Sequence, residues 1–259
     1  MPQCSDECSY QPRHILTDVD TVQGQSEYWR CPGGCSIGRV TDPPKLAALS
    51  EVMKSAAELL SVREGESARG TPVMYSREPG PPETILTGGG ICEVYLTPSA
   101  MTNDFQFFHQ IGHEAVHTFM PLRKSDWFAE AMACWHSVYL RATATPTGFR
   151  SYQERYLRGR GRSEEAPPRG FTDAFRLAHD LIVTFERAEV AGLASFARVI
   201  SAAPDGNPEE EATDWRAWAH SLGGDRRERA EAFLRERQHL HRPWSADGLS
   251  PCSATGRLA

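Results

Sequence analysis

Residues 108–119 read FHQIGHEAVHTF, and this stretch is the strongest indication of the fold and of the chemistry of the chain. His113 and His117 are four residues apart, a little over one turn of an α-helix, so both imidazoles point the same way. They can therefore share one metal ion. Glu114 lies beside that metal position and is suited to take a proton from a metal-bound water.

A third metal ligand is expected on the helix that follows the motif. Catalytic zinc sites normally take three protein ligands and keep a fourth position for water. Residues 127–133 read WFAEAMA, so Glu130 is an acidic residue in an otherwise apolar helical segment. A carboxylate buried there without a partner would be costly, and a metal would relieve that cost. A turn at Pro121 brings Glu130 back toward His113 and His117.

These two segments resemble a known group of enzymes. HEAVH at 113–117, a short connection and WFAEAMA at 127–133 are similar to the core of the gluzincin metallopeptidases. That superfamily, peptidase MA, includes thermolysin-like enzymes and aminopeptidases, and its second helix commonly reads Trp-x-x-Glu-Gly-x-Ala. The resemblance covers residues 84–203 in outline, and its specific part is 113–133.

The resemblance implies roles for the motif residues and also shows two departures. It implies three zinc ligands, which are His113, His117 and Glu130. It implies that Glu114 is the catalytic base. Ala131 replaces the common glycine of the second helix. Cys134 stands one turn after the third ligand, where thermolysin-like enzymes often place an aspartate that orients a histidine ligand.

The predicted fold is α+β and zincin-like, with a small mixed or antiparallel sheet packed on the motif helix and a mainly helical C-terminal half. Hydrophobic periodicity predicts helices at 45–63, 102–120, 127–140, 172–203 (broken near Gly192), 212–221 and 225–239. Strands are predicted at 73–76, 83–87 and 91–97, with the last two forming a hairpin through Gly88–Gly90.

Composition divides the chain into four predicted parts. A Cys-, Gly- and Pro-rich segment at 1–44, expected to be mostly loop, precedes a catalytic core at 45–142. A helical part at 143–243 and an irregular tail at 244–259 follow.

Peptide hydrolysis requires a second donor for the tetrahedral oxyanion besides zinc. In the gluzincins this donor is a Tyr or a His from the helical part after the third ligand. His179 is the first candidate in this chain, and Tyr152 and Tyr156 are the next. The alternative for His179 is a histidine on a helix surface, bonded to Asp180 or to solvent.

Residues 90–96 read GICEVYL and resemble the edge strand of these enzymes. An extended peptide substrate can add to such an edge as an extra strand, which is expected near Ile91–Leu96. Glu93 is a candidate to bind a free amino group, and the alternative is a solvent-facing strand residue.

Net charge and hydropathy exclude several classes of partner. The 259-residue chain carries a formal charge of −6, so it has no basic excess for binding nucleic acid. No apolar run approaches the length of a membrane span, and the first ten residues lack a hydrophobic segment. We therefore expect a cytoplasmic protein with no membrane partner, and export by a specialised route remains open. The sequence does not indicate an oligomeric state.

The N-terminal cysteines form two Cys-x-x-x-Cys pairs, made of Cys4, Cys8, Cys31 and Cys35. A second, structural zinc, disulfides and free thiols all remain open, since the usual zinc knuckle has two intervening residues rather than three. Cys92 and Cys134 are predicted to be small core residues.

Together these patterns predict a zinc-dependent metallohydrolase, with a peptidase as the leading interpretation. Two alternatives remain open, because a fold does not fix a function. One is a non-catalytic interaction or regulatory protein on a metallopeptidase scaffold. The other is a zinc amidohydrolase that acts on a non-peptide amide.

Overall fold

The computed structural model describes residues 25–30, 35–62, 72–86, 91–120, 126–157, 169–202 and 208–246. In these ranges the chain is of the α+β class, as predicted. It forms two units that are discontinuous in sequence. The first draws on residues 1–58, 62–121 and 137–149, and the second on 59–61, 122–136 and 150–259. The four-part division predicted from composition remains a prediction.

The first unit is built on a five-stranded mixed sheet. Its strands are β1 (Gln25–Arg30), β2 (Ser36–Val40), β3 (Val73–Glu78), β4 (Glu83–Leu86) and β5 (Cys92–Leu96). Their order across the sheet is β1-β2-β3-β5-β4. Only β3 and β5 run parallel, and the other neighbours are antiparallel. Among the described strands, β1 and β4 are therefore the edges and β5 lies inside the sheet.

Three helices belong to this unit, namely α1 (Pro43–Leu60), α2 (Pro98–Thr102) and α3 (Asp104–Phe119). The motif helix α3 contacts β4 and β5. The thiol of Cys92 donates to the carbonyl of Thr118 at 3.7 Å, which fixes the side of β5 that faces α3. Because side chains alternate along a strand, Glu93 and Tyr95 point to the opposite face of the sheet.

Local chemistry sets both the start and the packing of α3. Asn103 caps the helix by accepting hydrogen bonds from the backbone N–H groups of Phe105 at 2.9 Å and Gln106 at 3.2 Å. Directly before the motif, Gly112 lets the helix approach Ser137 closely, since a Cβ at Gly112 would lie 3.0 Å from the Cα of Ser137. Gly112 immediately precedes His113, so this close approach fixes the position of the motif relative to Ser137.

The second unit is mainly helical. Most of α4 (Trp127–Val138) belongs to it. Its other helices are α5 (Phe149–Leu157), α6 (Arg169–Thr184), α7 (Arg187–Gly192), α8 (Trp215–Ser221) and α9 (Gly224–Glu236). A two-stranded antiparallel sheet of β6 (Ala197–Ala202) and β7 (Pro208–Thr213) lies between α7 and α8 in sequence.

Aromatic side chains and one buried aspartate organise this unit. The Phe128 ring of α4 meets the Trp215 ring edge-on, with 6.2 Å between centroids. Asp126, which is almost fully buried, accepts from the backbone N–H of Phe128 at 3.2 Å and from the hydroxyl of Thr213 at 2.8 Å. The carboxylate thereby caps α4 and ties its first turn to the end of β7.

Several elements differ from the sequence prediction. Residues 197–202 form a strand rather than the end of a helix. The short apolar run ARVISA fits either structure by its pattern alone, and β-branched Val199 and Ile200 at its centre favour a strand. Pairing with β7 then makes it one. Strands β1 and β2 lie in the segment expected to be mostly loop. The helix α5 was not predicted. Gly88–Gly90 of the predicted hairpin turn lie outside the described residues, although β4 and β5 do pair antiparallel.

In the described part of the chain, no helix combines the length and the apolar character that crossing a bilayer requires.

Candidate metal centre

Three side chains that the sequence nominated as metal ligands come together in the structure. The ligand atoms of His113, His117 and Glu130 all lie within 4.8 Å of one another. The two imidazoles come from successive turns of α3, and their Nε2 atoms are 3.2 Å apart. The carboxylate comes from the first turn of α4. No other group of three or more such residues was found among the described residues.

The spacing of these atoms fits a zinc ion. With Zn–N bonds of about 2.0–2.1 Å and tetrahedral angles, two nitrogens on one zinc are about 3.3 Å apart. The Nε2 atoms of His113 and His117 are 3.2 Å apart, close to that value. Two imidazoles and one carboxylate are also a donor set used by catalytic zinc sites, which keep a fourth position for water. Without a metal, the same distance suits a hydrogen bond between the rings.

Two of the three residues of the cluster are almost fully buried. His117 and Glu130 are 6% and 5% exposed, and His113 is half-buried. Glu130 is flanked along α4 by side chains that are almost completely buried, namely Trp127, Phe128, Ala129, Ala131, Met132 and Ala133. A charged carboxylate that is almost fully buried is costly without compensating charge, and a divalent cation held with two neutral imidazoles would supply it.

Glu114, the predicted base, is held against the sheet edge. Its side chain is 4% exposed, and its Oε2 accepts a hydrogen bond from the hydroxyl of Thr84 at 2.9 Å. The same hydroxyl lies 3.1 Å from the backbone carbonyl of Glu114. Thr84 belongs to β4, so the residue next to the first ligand is linked directly to the edge strand.

His179, the predicted oxyanion donor, lies on α6 and is largely exposed. Its Nδ1 is 3.7 Å from Oδ1 of Asp180, and its ring centroid is 6.3 Å from that of Trp135. These contacts match the alternative of a histidine on a helix surface, and the three-ligand cluster does not include it. Its catalytic role stays a prediction. Tyr152 is half-buried on α5, and the side chain of Tyr156 lies outside the described part of the chain.

The prediction that a peptide pairs along an edge strand near Ile91–Leu96 is wrong about the strand. β5 is hydrogen-bonded to β3 on one side and to β4 on the other, so its backbone has no free edge. The edge on this side of the described sheet is β4.

Glu93 is not placed to bind a substrate amine beside α3. It lies on the opposite face of the sheet, where its Oε2 accepts a hydrogen bond from the hydroxyl of Tyr95 at 2.6 Å. Burial and this hydrogen bond raise the pKa of Tyr95 above its usual value. Arg77, which stacks over the Tyr95 ring at 4.6 Å and pairs with Glu83 at 2.6 Å, completes a polar cluster on that face.

The cysteine predictions have different outcomes. Cys92 and Cys134 are buried, as predicted. Cys35 is also buried, packed with Ile37, Tyr75 and Tyr95 on the face of the sheet away from α3. The remaining members of the proposed four-thiolate site, Cys4, Cys8 and Cys31, lie outside the described residues. The structural zinc at Cys4, Cys8, Cys31 and Cys35 therefore stays a prediction.

Comparisons with protein-family models, with curated proteins and with solved structures give no match to this chain. The resemblance to gluzincins therefore rests on the sequence of residues 113–133.

Proposed function

We propose that this protein is a zinc-dependent metallohydrolase with a zincin-like fold, and that it hydrolyses peptide bonds. The observation that carries the proposal is that the possible ligand atoms of His113, His117 and Glu130 lie within 4.8 Å of one another. The Nε2 atoms of His113 and His117 are also 3.2 Å apart, close to the distance between two nitrogens bound to one zinc ion. Glu114 supports it, because a carboxylate that directly follows a proposed ligand in the sequence is suited to take a proton from a metal-bound water.

The roles of the side chains follow from their chemistry. Zinc bound by His113, His117 and Glu130 would supply a Lewis acid that activates a water molecule and polarises the scissile carbonyl. Glu114 accepts the proton that the attacking water releases, and later donates it to the amine that leaves. The low exposure of Glu114 and Glu130 limits access of bulk water, which strengthens these electrostatic interactions.

The geometry of the sheet supports an extended peptide as the substrate. In the proposal, a peptide pairs with the edge strand β4, where backbone hydrogen bonds give affinity that tolerates many sequences. The hydroxyl of Thr84 in β4 contacts Glu114, so a chain bound along this edge runs past the proposed base.

Metal analysis with matched variants tests the metal site. Purified protein is expected to bind about one zinc per chain, and Glu130→Gln and His113→Ala are expected to lose it. Glu228→Gln and His220→Ala, which change exposed residues of α9 and α8, control for the removal of a carboxylate or an imidazole and should keep the zinc. Wild-type protein that binds no stoichiometric zinc would overturn the proposal.

A second experiment tests the hydrolysis itself. Zinc-loaded protein is incubated with a broad library of internally quenched peptides, and cleavage is followed by fluorescence and mass spectrometry. Glu114→Gln should retain zinc and lose turnover by about 10²–10⁴-fold, the usual contribution of a general base. Zinc binding without cleavage of any peptide would instead support the non-catalytic scaffold, and cleavage confined to non-peptide amides would support the amidohydrolase.

A further inference from the structure

One buried hydroxyl touches the proposed base and is not part of the proposed catalytic machinery. Thr84 is 2% exposed, and its Oγ1 lies 2.9 Å from Oε2 of Glu114 and 3.1 Å from the carbonyl oxygen of the same residue. A threonine hydroxyl has a single proton to donate. It can donate fully to only one of these oxygens at a time, and the shorter distance, 2.9 Å, is the one to Oε2 of the Glu114 carboxylate.

Both partners of this contact are themselves fixed. Thr84 is opposite Val94 in the antiparallel pairing of β4 with β5, so the sheet determines where its hydroxyl points. Glu114 is buried in α3, whose start is capped by Asn103. A glutamate otherwise has three rotatable side-chain bonds, and holding one carboxylate oxygen against a strand removes most of that freedom.

The direction of the carboxylate matters for the proposed reaction. A general base must lie within hydrogen-bond reach of the proton it takes, and a displacement of about 1 Å can cost on the order of 10²-fold in rate. His113 precedes Glu114 directly in sequence, so the carboxylate has to turn toward the water position and not toward the ligand nitrogens. A hydroxyl that donates to Oε2 fixes that turn.

We propose that Thr84 is a positioning residue for Glu114, holding the carboxylate in the orientation that general-base catalysis needs. The inference rests on the proposed function and deepens it. The hydroxyl acts through Glu114 and touches neither the metal nor the substrate. It follows that its removal should slow turnover without loss of zinc and with little change in substrate binding.

Two substitutions separate the hydroxyl from the shape of the side chain. Thr84→Val keeps nearly the same volume and lacks the hydroxyl, and Thr84→Ser keeps the hydroxyl and lacks the methyl group. On a peptide that the wild type cleaves, Thr84→Val should lower kcat about 10- to 100-fold with KM changed less than about threefold. Thr84→Ser should restore most of kcat. Zinc content and urea unfolding are measured on each variant.

A control comes from a second threonine–glutamate contact in the same unit. The hydroxyl of Thr143 donates to the carboxylate of Glu51 at 2.8 Å on the exposed surface. Thr143→Val removes the same kind of hydrogen bond and should leave kcat unchanged. A fall in kcat with Thr143→Val equal to that with Thr84→Val would overturn the inference.

A spectroscopic measurement tests the positioning of Glu114 by Thr84 independently of turnover. In ¹³C-glutamate-labelled, zinc-loaded protein, the carboxyl signal of Glu114 is the one that disappears in Glu114→Gln. That signal should shift in Thr84→Val and return toward the wild-type position in Thr84→Ser. An unchanged signal in Thr84→Val overturns the positioning role, even if the wild type cleaves peptides. A shifted signal in a protein that cleaves no peptide leaves the contact with Thr84 established and refutes the proposed function instead.

Discussion

Substitution of Gly112 by alanine tests how closely α3 is packed beside the proposed metal ligands. A Cβ at this position would lie 3.0 Å from the Cα of Ser137, 3.6 Å from its Cβ and 3.7 Å from Cδ2 of Leu140. The nearest of these atoms is backbone, so it cannot rotate out of the way. The helix itself has to move by a few tenths of an ångström.

The magnitude follows from two opposed effects. Overpacking of this kind costs about 1–3 kcal/mol, whereas replacing a helical glycine by alanine gains about 0.5–1 kcal/mol. Gly192 at the end of α7 is the matched control, because it has helical dihedral angles and a Cβ added there would meet nothing within 4 Å. Gly192→Ala should stabilise by about 0.4–1 kcal/mol, so the difference between the two variants isolates the overpacking of about 1–3 kcal/mol.

Urea unfolding of both metal-free variants, followed by circular dichroism, measures this difference. His113 is the next residue, so the displaced helix should also bind zinc more weakly, which a competition titration with a chelating dye detects. A Gly112→Ala protein that is as stable as Gly192→Ala would refute the close approach. Unchanged zinc affinity in a destabilised Gly112→Ala protein would refute the link between this packing and the ligands.

Three further predictions concern stability. Burial lowers the pKa of His239, whose ring lies 4.9 Å from that of Trp127, below its usual 6.5. The unfolded chain therefore binds the proton more readily, and the unfolding free energy of metal-free protein should fall as the pH drops through about 6.5, less steeply in His239→Gln. Asp126→Ala should lower the free energy of unfolding by about 2–4 kcal/mol, because α4 loses its cap and the hydroxyl of Thr213 loses a buried acceptor. Asp214→Ala removes only the cap of α8 and should lower it by about 0.5–2 kcal/mol in the same urea assay. Zinc at a hundredfold excess over its dissociation constant should add about 2.7 kcal/mol to the unfolding free energy, and EDTA should abolish that gain.

The three residues of the proposed metal site were predictable because their signals are local. The spacing of His113 and His117 is a property of one helix turn, and Glu130 stands out as an acid among apolar neighbours. Thr84 carries no such signal, because its partner Glu114 is thirty residues away and an isolated threonine in a strand is ordinary. Gly112 is equally silent in the sequence, since only the position of Ser137 shows why a side chain would not fit.

The prediction of the free strand edge was wrong for a similar reason, because the contact that decides it is not local in sequence. The correction changes which strand pairs with the peptide in the proposal. A hairpin pattern predicts that β4 and β5 pair, but it is symmetrical and does not say which of them has a free edge. That is decided by the parallel pairing of β5 with β3, two strands that β4 separates in the sequence, and no local pattern encodes this contact. The free edge on this side of the described sheet is therefore Glu83–Leu86 and not Ile91–Leu96 as predicted.

The consequence is that one strand has two tasks in the proposed mechanism. β4 offers its backbone to the peptide, and through Thr84 it holds the carboxylate of Glu114. A shift of β4 relative to α3 would then change substrate binding and the base together. Substitutions that loosen β4 without touching Thr84 should therefore raise KM and lower kcat at once, whereas Thr84→Val should lower kcat alone.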